Sequence, residues 1–181
     1  MFARTERLLL RPGFPEDAPA LAGAIADEQI VRNLGSAPWP YGLADAKAGL
    51  SKPQDPGLPS MLIFERTAAA PRLVGGCGLN RKPSGAIEMG YWIRRSDWGR
   101  GFASEAGTAL IDIARALRLD RLEAGHFVDN PASARVLEKL GFRPTGLSAP
   151  RFSCARGAEV VTNLYRLSLV SRGCEDCPRR R

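Results

Sequence analysis

Apolar positions along the chain follow two rhythms. From Ser60 onward, SMLIFERT, RLVGGCGLN and GAIEMGYWI are three apolar-rich runs separated by the turn-rich pieces AAAP and RKPS, the pattern of an antiparallel strand meander. Over residues 101–118 the spacing becomes helical, with Ala103, Ala106, Leu110, Ile113, Ala114 and Leu117 on one face. A strand-like RLEAGHFV, a helical NPASARVLEKLG, a strand-like FRPTGLS and a long final run AEVVTNLYRLSLV follow. Ahead of the meander, RLLLRP at 7–12 predicts a strand, and Pro15 starts a helix with proline and acids in its first turn. EQIVRNL and LADAKAGL predict two shorter helical pieces, separated by the Pro-rich loop GSAPWPYG; SKPQDPGLP is a loop. The order predicts an α/β (α+β) domain with one mixed, largely antiparallel central sheet of about seven strands flanked by helices.

Composition narrows this picture modestly. A chain of 181 residues suits one domain, here expected over residues 1–170, with 171–181 as a basic C-terminal tail. Lys plus Arg outnumber Asp plus Glu by 26 to 19, a net charge of +7 that favours an anionic ligand. No apolar run is long enough for a membrane span or a signal peptide, so the expected setting is the cytoplasm and no membrane partner is expected. Cys77, Cys154, Cys174 and Cys177 are too scattered for a disulfide framework. The C-x-x-C of the tail has no second pair or histidine at ligand spacing, so no metal is expected.

The stretch DWGRGFASEA carries the candidate chemistry. Backbone N–H groups at a helix start form an anion site assisted by the helix dipole. Gly99 and Gly101 have no Cβ and Ala103 the smallest one, so phosphate oxygens can approach the backbone of residues 99–104, with Arg100 adding charge. No P-loop string exists in the chain. A dinucleotide fingerprint fails at its third position, where Ser104 stands, and the strands before it read as antiparallel.

GAIEMGYWIRRSDWGRGFASEA, followed by NPASARVLEKLGFRPTG and preceded by TERLLLRP, resembles the GNAT acetyltransferase superfamily. The nearest branch is that of the ribosomal-protein alanine N-acetyltransferases (RimJ/RimL type). The resemblance runs to about residue 170, with the motifs in the family's order. It implies that the loop of Trp98, Gly99, Arg100, Gly101, Phe102, Ala103 and Ser104 binds the diphosphate of acetyl-CoA. Trp98 replaces the general family's Gln or Arg at the first motif position. It also implies a sheet splayed between its fourth and fifth strands, with the pantetheine against the backbone of Tyr91, Trp92 and Ile93, and Asn130 both capping a helix and contacting that arm.

The implied reaction is direct attack of an amine on the thioester. Where the family usually places a tyrosine acid, seven residues after the asparagine, this chain has Leu137, leaving the Ser133 hydroxyl to assist the thiolate. Glu88 is the candidate base, flanked by Ile87 and Met89 on the opposite strand face; His126 and water are the alternatives. Trp39, Tyr41, His126, Arg151 and Phe152 are the candidate acceptor contacts. PRFSCARG lacks the acid that ribosomal-protein enzymes carry there, which argues against a ribosomal acceptor. The expectation is therefore an acetyl-CoA-dependent N-acetyltransferase, monomeric or homodimeric, acting on a protein or peptide N-terminus or a small-molecule amine. The competing reading is a basic ribosome- or RNA-binding, or CoA-sensing, module without turnover. Against nucleic acid, aromatics form 7% of the chain and do not interleave with a basic stripe.

Overall fold

The computed structural model describes residues 1–170. The basic tail, with Cys174 and Cys177, lies outside the described residues.

Two faces of one sheet organise the chain. The strands are β1 (Ala3–Arg4), β2 (Leu8–Arg11), β3 (Ser60–Glu65), β4 (Arg72–Arg81), β5 (Ile87–Ile93), β6 (Arg121–Phe127), β7 (Arg143–Ser153) and β8 (Ala158–Ser168). Their spatial order is β1-β2-β3-β4-β5-β6-β8-β7. Every pairing is antiparallel except β5 with β6. The helices are α1 (Ala18–Ile25), α2 (Glu28–Val31), α3 (Leu43–Leu50), α4 (Phe102–Ala116) and α5 (Pro131–Lys139).

Alternation along the strands separates the cores. Ile87, Met89 and Ile93 of β5, with Leu122 and Ala124 of β6, join Phe102, Ala106, Leu110 and Ala114 of α4 and Leu137 of α5 in the larger core. On the other face, Leu62, Phe64 and Leu73 pack with Ala18, Leu21 and Ala24 of α1 and Ala46 of α3, with Trp92 against them. Gly107 gives α4 its close approach to α5: a Cβ there would stand 2.5 Å from Leu140 Cδ1.

The structure adjusts the expected elements in three places. The sheet has eight strands because the two-residue β1 pairs with β2. The helix expected from Pro15 begins as a single 3-10 turn, Pro15–Asp17, before α1. SAPRFS, expected as an acceptor-contacting segment after the strand FRPTGLS, is the second half of β7. As the edge strand, β7 tolerates Pro144 and Pro150, whose missing N–H groups need not serve a second neighbour.

Candidate functional site

Only one register pair joins β5 to β6, Glu88 with Glu123. Beyond it the two strands diverge toward their C-terminal ends, so the sheet is splayed between the strands counted fourth and fifth from the sequence. A bulge in β4 lies on the other side of β5. Ile63 pairs with Gly75 and Phe64 with Leu73, which leaves Val74 as an extra, bulged residue. A bulge increases local twist, and the end of β5 leans onto the bulged strand. A Cβ on Gly75 would run into the carbonyl of Trp92 and lie 2.9 Å from Ile93 Cδ1, and one on Gly76 would lie 2.5 Å from Trp92 Nε1.

At the open end lies the loop 94–101. Gly99 and Gly101 have φ of +77° and +82°, a left-handed backbone that disfavours side chains. Gly101 is the N-cap of α4, so the N–H groups of Phe102, Ala103 and Ser104 have no acceptor within the helix. Phe102 is buried, Ala103 and Ser104 half-buried. Trp98 is half exposed, its Nε1 donating to Ile93 O at 2.8 Å. Of the backbone groups expected to serve a ligand on β5, the Ile93 carbonyl is thus already engaged.

The Arg100 side chain turns away from the helix start. Its guanidinium pairs with Glu65 and, at 2.6 Å, with Asp97, and lies 4.4 Å over the Phe102 ring. Arg72 completes the cluster with 2.6 Å contacts to both acids. What Arg100 lends the loop is therefore its backbone, and its carbonyl accepts from Arg7 Nη1 at 3.0 Å. Arg7 and Thr5 clamp the first turn of α4 through Glu105, the Arg7 Nε bond being 2.7 Å and the Thr5 hydroxyl bond 2.5 Å. Sequence reasoning missed this scaffold. TERLLLRP and Asp97 were in view, but nothing local shows what they hold.

Asp97 is buried, and the hydrogen bonds from Arg72 hold its carboxyl below the ordinary value against the effect of burial. Its folded pKa is lower than its unfolded one, so the stabilisation is full above about pH 4 and fades as pH falls through the folded value. Asp97→Ala should cost about 2 kcal/mol at pH 7, less than a fully buried pair because both arginines can turn to water. Thermal melts should show a deficit of about 4–8 °C that narrows below about pH 4; a gap constant with pH would show that the charge is not what stabilises.

Around the splay, α5 begins at Asn130, whose Oδ1 accepts from Ser133 N at 3.2 Å. The N-cap role is thus present. The Tyr91 hydroxyl lies 2.9 Å from Ser133 Oγ and 3.2 Å from Ser133 O, so a phenol on β5 meets the hydroxyl on α5. Burial pushes the Tyr91 phenol up to about 12, the Ser133 contact opposing. Leu137, by contrast, is fully buried in the core and presents no polar group.

Glu88 faces the opposite side of the sheet, between two cations. Arg151 Nη2 stands 2.6 Å and Lys82 Nζ 3.5 Å from its Oε1. Arg151 arrives from β7, which pairs with β8 beyond β6. The pairing joins a candidate base to a candidate acceptor contact that the sequence left unrelated.

His126 is buried on the α4/α5 face, its ring 5.5 Å from that of Tyr165, and so on the other face from Glu88. Of the remaining acceptor candidates, Trp39 and Phe152 are exposed, while Tyr41 packs between the smaller cores. The loop before Trp39 is tied to the end of β7 by Cys154 N donating to Gly35 O at 3.0 Å and Ser153 Oγ to Leu34 O at 3.3 Å. Among the described residues no cluster of His, Cys, Asp and Glu could hold a metal ion, and no helix is long and apolar enough to cross a membrane.

Residues 7–143 match the sequence model of the family described as Acetyltransferase (GNAT) domain. Among curated proteins, the uncharacterised N-acetyltransferase p20 of Bacillus licheniformis is 31% identical over 176 residues, covering 93% of this chain and 95% of p20. An acetyltransferase of the GNAT family from Bacillus anthracis superposes with a TM-score of 0.76 at 21% identity, covering 93% of this chain and 99% of that one. RimL, a ribosomal L7/L12 alpha-N-protein acetyltransferase solved in complex with coenzyme A, gives 0.74 at 20% identity, covering 93% and 98%. The family match spans most of the sequence, the fold agrees over most of the chain, and the chain belongs to the GNAT family of acetyltransferases.

Proposed function

We propose that the protein is an acetyl-CoA-dependent N-acetyltransferase that acylates a primary amine by direct attack, with an α-amine or another amine of low pKa as its acceptor. The observation that carries this reading is the splay of β5 from β6 beside a left-handed Gly-Arg-Gly turn that opens α4. A polar arm entering the wedge finds the unpaired edge of β5 at Tyr91 and Trp92 and the α5 start at Asn130. A diphosphate at its far end finds the N–H groups of residues 99–104, where Gly99 leaves open space around its Cα. The thioester supplies the electrophilic carbonyl.

The chain's own residues then divide the proton work. Ser133 on the α5 side holds a hydroxyl at the leaving sulfur, and Tyr91 orients it. Tyr91 touches the Ser133 hydroxyl at 2.9 Å, and that contact gives it a positioning role. Glu88 on the other face receives the amine's proton directly or through water, within a charge set shared with Arg151 and Lys82. An α-amine with pKa near 7.7–8 is about a quarter neutral at pH 7.4, whereas a lysine near 10.4 is about one part in a thousand neutral. A site whose acid is already ion-paired suits the former. Trp39, Tyr41 and Phe152 would receive the acceptor's body. Part of the positive charge a basic module would need is committed internally: Arg7, Arg11, Arg72, Arg100, Arg151 and Arg156 each pair with a carboxylate.

The test is thiol release from acetyl-CoA in the presence of free peptide N-termini, N-terminally blocked lysine peptides and small amines, with mass analysis of the acceptor. Amine-dependent release is expected, fastest with acceptors of low pKa. Ser133→Ala should lower kcat by at least about tenfold and Tyr91→Phe by about threefold to tenfold, both with KM for acetyl-CoA nearly unchanged. Absence of release with every amine class, or a preference for blocked lysine peptides, would overturn the reading in whole or in its acceptor class.

A further inference from the structure

Three cations and two carboxylates meet on the sheet face of Glu88. Glu88 takes Arg151 at 2.6 Å and Lys82 at 3.5 Å. Glu123, its register partner on β6, takes the same Lys82 at 3.6 Å and Arg166 at 3.7 Å. Among the described residues this cluster therefore carries one positive charge in excess. Its closest contact is also its least matched, because the buried Glu88 Oε1 has no hydrogen-bond partner: the guanidinium of Arg151 touches it without aiming an N–H along the contact. Elsewhere the chain's arginines grip carboxylates with both ends of the fork, Arg11 on Asp17 at 2.7 Å twice and Arg156 on Asp129 at 2.8 and 3.0 Å. No such fork joins Arg151 to Glu88.

Two contacts place Arg151 at the base of the opening between β5 and β6. Glu88 belongs to the single register pair that joins those strands. Gly125 stands two residues beyond Glu123 on β6, and strand alternation puts it on the same face. A Cβ on Gly125 would lie 3.6 Å from Arg151 Cζ. The guanidinium thus touches β5 at Glu88 and lies over β6 at the first residue of that face past the pair. The Arg151 side chain remains 29% exposed. A planar fork of five N–H donors, held at one corner by a carboxylate, has an edge left for a second.

Resting on the acetyltransferase reading above, we propose that Arg151 is a specificity-determining residue that receives a carboxylate of the acceptor, so that the favoured substrate is an amine with a carboxylate a few bonds from its nitrogen. The amine faces Glu88 Oε1, the oxygen without a hydrogen bond, and the carboxylate takes the open edge of the guanidinium. Those two protein groups are 2.6 Å apart, so the acceptor's two groups must be near neighbours. The reacting form, a neutral amine beside a carboxylate, brings one negative charge, which the excess positive charge of the cluster matches. A peptide whose first residue is Asp or Glu meets this description, and so does a free amino acid.

Acetyl transfer to matched acceptors tests this in the wild-type protein, Arg151→Gln and Arg151→Lys. One pair is a tripeptide amide beginning with Asp and its counterpart beginning with Asn, which differ by a single carboxylate of the same shape. The other is free alanine and alaninamide, compared at equal concentration of neutral amine. In the wild type, kcat/KM should favour the acid of at least one pair by about tenfold or more, the weight of a hydrogen bond to a charged group; the pair that shows it tells a side-chain carboxylate from an α-carboxylate. Arg151→Gln should bring that ratio to about one. Arg151→Lys, which keeps the charge and loses the fork, should leave an intermediate ratio, and serves if the first variant folds poorly. Equal rates within both pairs in the wild type, or a preference that Arg151→Gln leaves intact, would overturn the assignment while transfer itself stands. Absence of transfer to every acceptor would remove the acetyltransferase reading and this one with it.

Discussion

Gly101→Val is expected to raise the Kd for acetyl-CoA by at least about 100-fold, equivalent to about 2.7 kcal/mol. Three effects act together at this residue. The backbone stands at φ +82°, where a side chain costs about 1–2 kcal/mol and a β-branched one more. The residue is the N-cap of α4, so any shift of its backbone turns the first N–H groups of the helix away from their common focus. The new methyl groups would also fall beside Arg7, whose Nη2 lies 3.5 Å from the Cβ position, disturbing the clamp on the Arg100 carbonyl. Gly146→Val separates strain from site: Gly146 has φ +76° and open space around it, in β7. Both variants should melt earlier than wild type by similar amounts, and only Gly101→Val should lose the ligand. Equal Kd values for Gly101→Val and wild type would remove the loop from the binding site.

Gly75→Val should lower stability by about 3 kcal/mol, the upper range for overpacking, and weaken acetyl-CoA binding although residue 75 is part of no proposed contact. The added Cβ would run into the Trp92 carbonyl and lie 3.3 Å from Ile93 Cα. These are backbone atoms that cannot swing aside as a side-chain tip can. The relief available to β5 is movement away from β4, which narrows the wedge against β6. A melting temperature lower by about 6–12 °C, with a Kd raised about tenfold or more, is the expected pair of results. Normal affinity in a destabilised protein would show that the bulge supports the sheet without setting the splay.

Periodicity and turn residues were sufficient to place most strands and helices, because apolar alternation and helical spacing are local properties. NPASARVLEKLG contains its own instructions: Asn130 caps, Pro131 opens the helix, and Gly141 at φ +86° ends it. The turn around Gly99 and Gly101 was equally legible, since a glycine turn that opens a helix is built from consecutive residues. β7 was cut short because prolines inside a strand argue against it unless it is an edge, and edge status is a property of the whole sheet.

The side chains drawn from distant parts of the chain could not be read this way. Arg100 looked available for a ligand, yet Glu65, which with Asp97 engages its guanidinium, comes from the distant strand β3, and Arg72 of β4 shares both acids. Glu88 and Arg151 are 63 residues apart in number and meet only because β7 folds back beyond β8. Tyr91 meets Ser133, and His126 lies on the face away from Glu88, through the register of one strand pair. By itself the sequence determined most of the elements, the glycine turn that opens α4 and the family, because each is written in neighbouring residues. Tertiary structure alone decided which charges are paired and which hydroxyls meet, because those depend on distances between segments that no local spacing encodes.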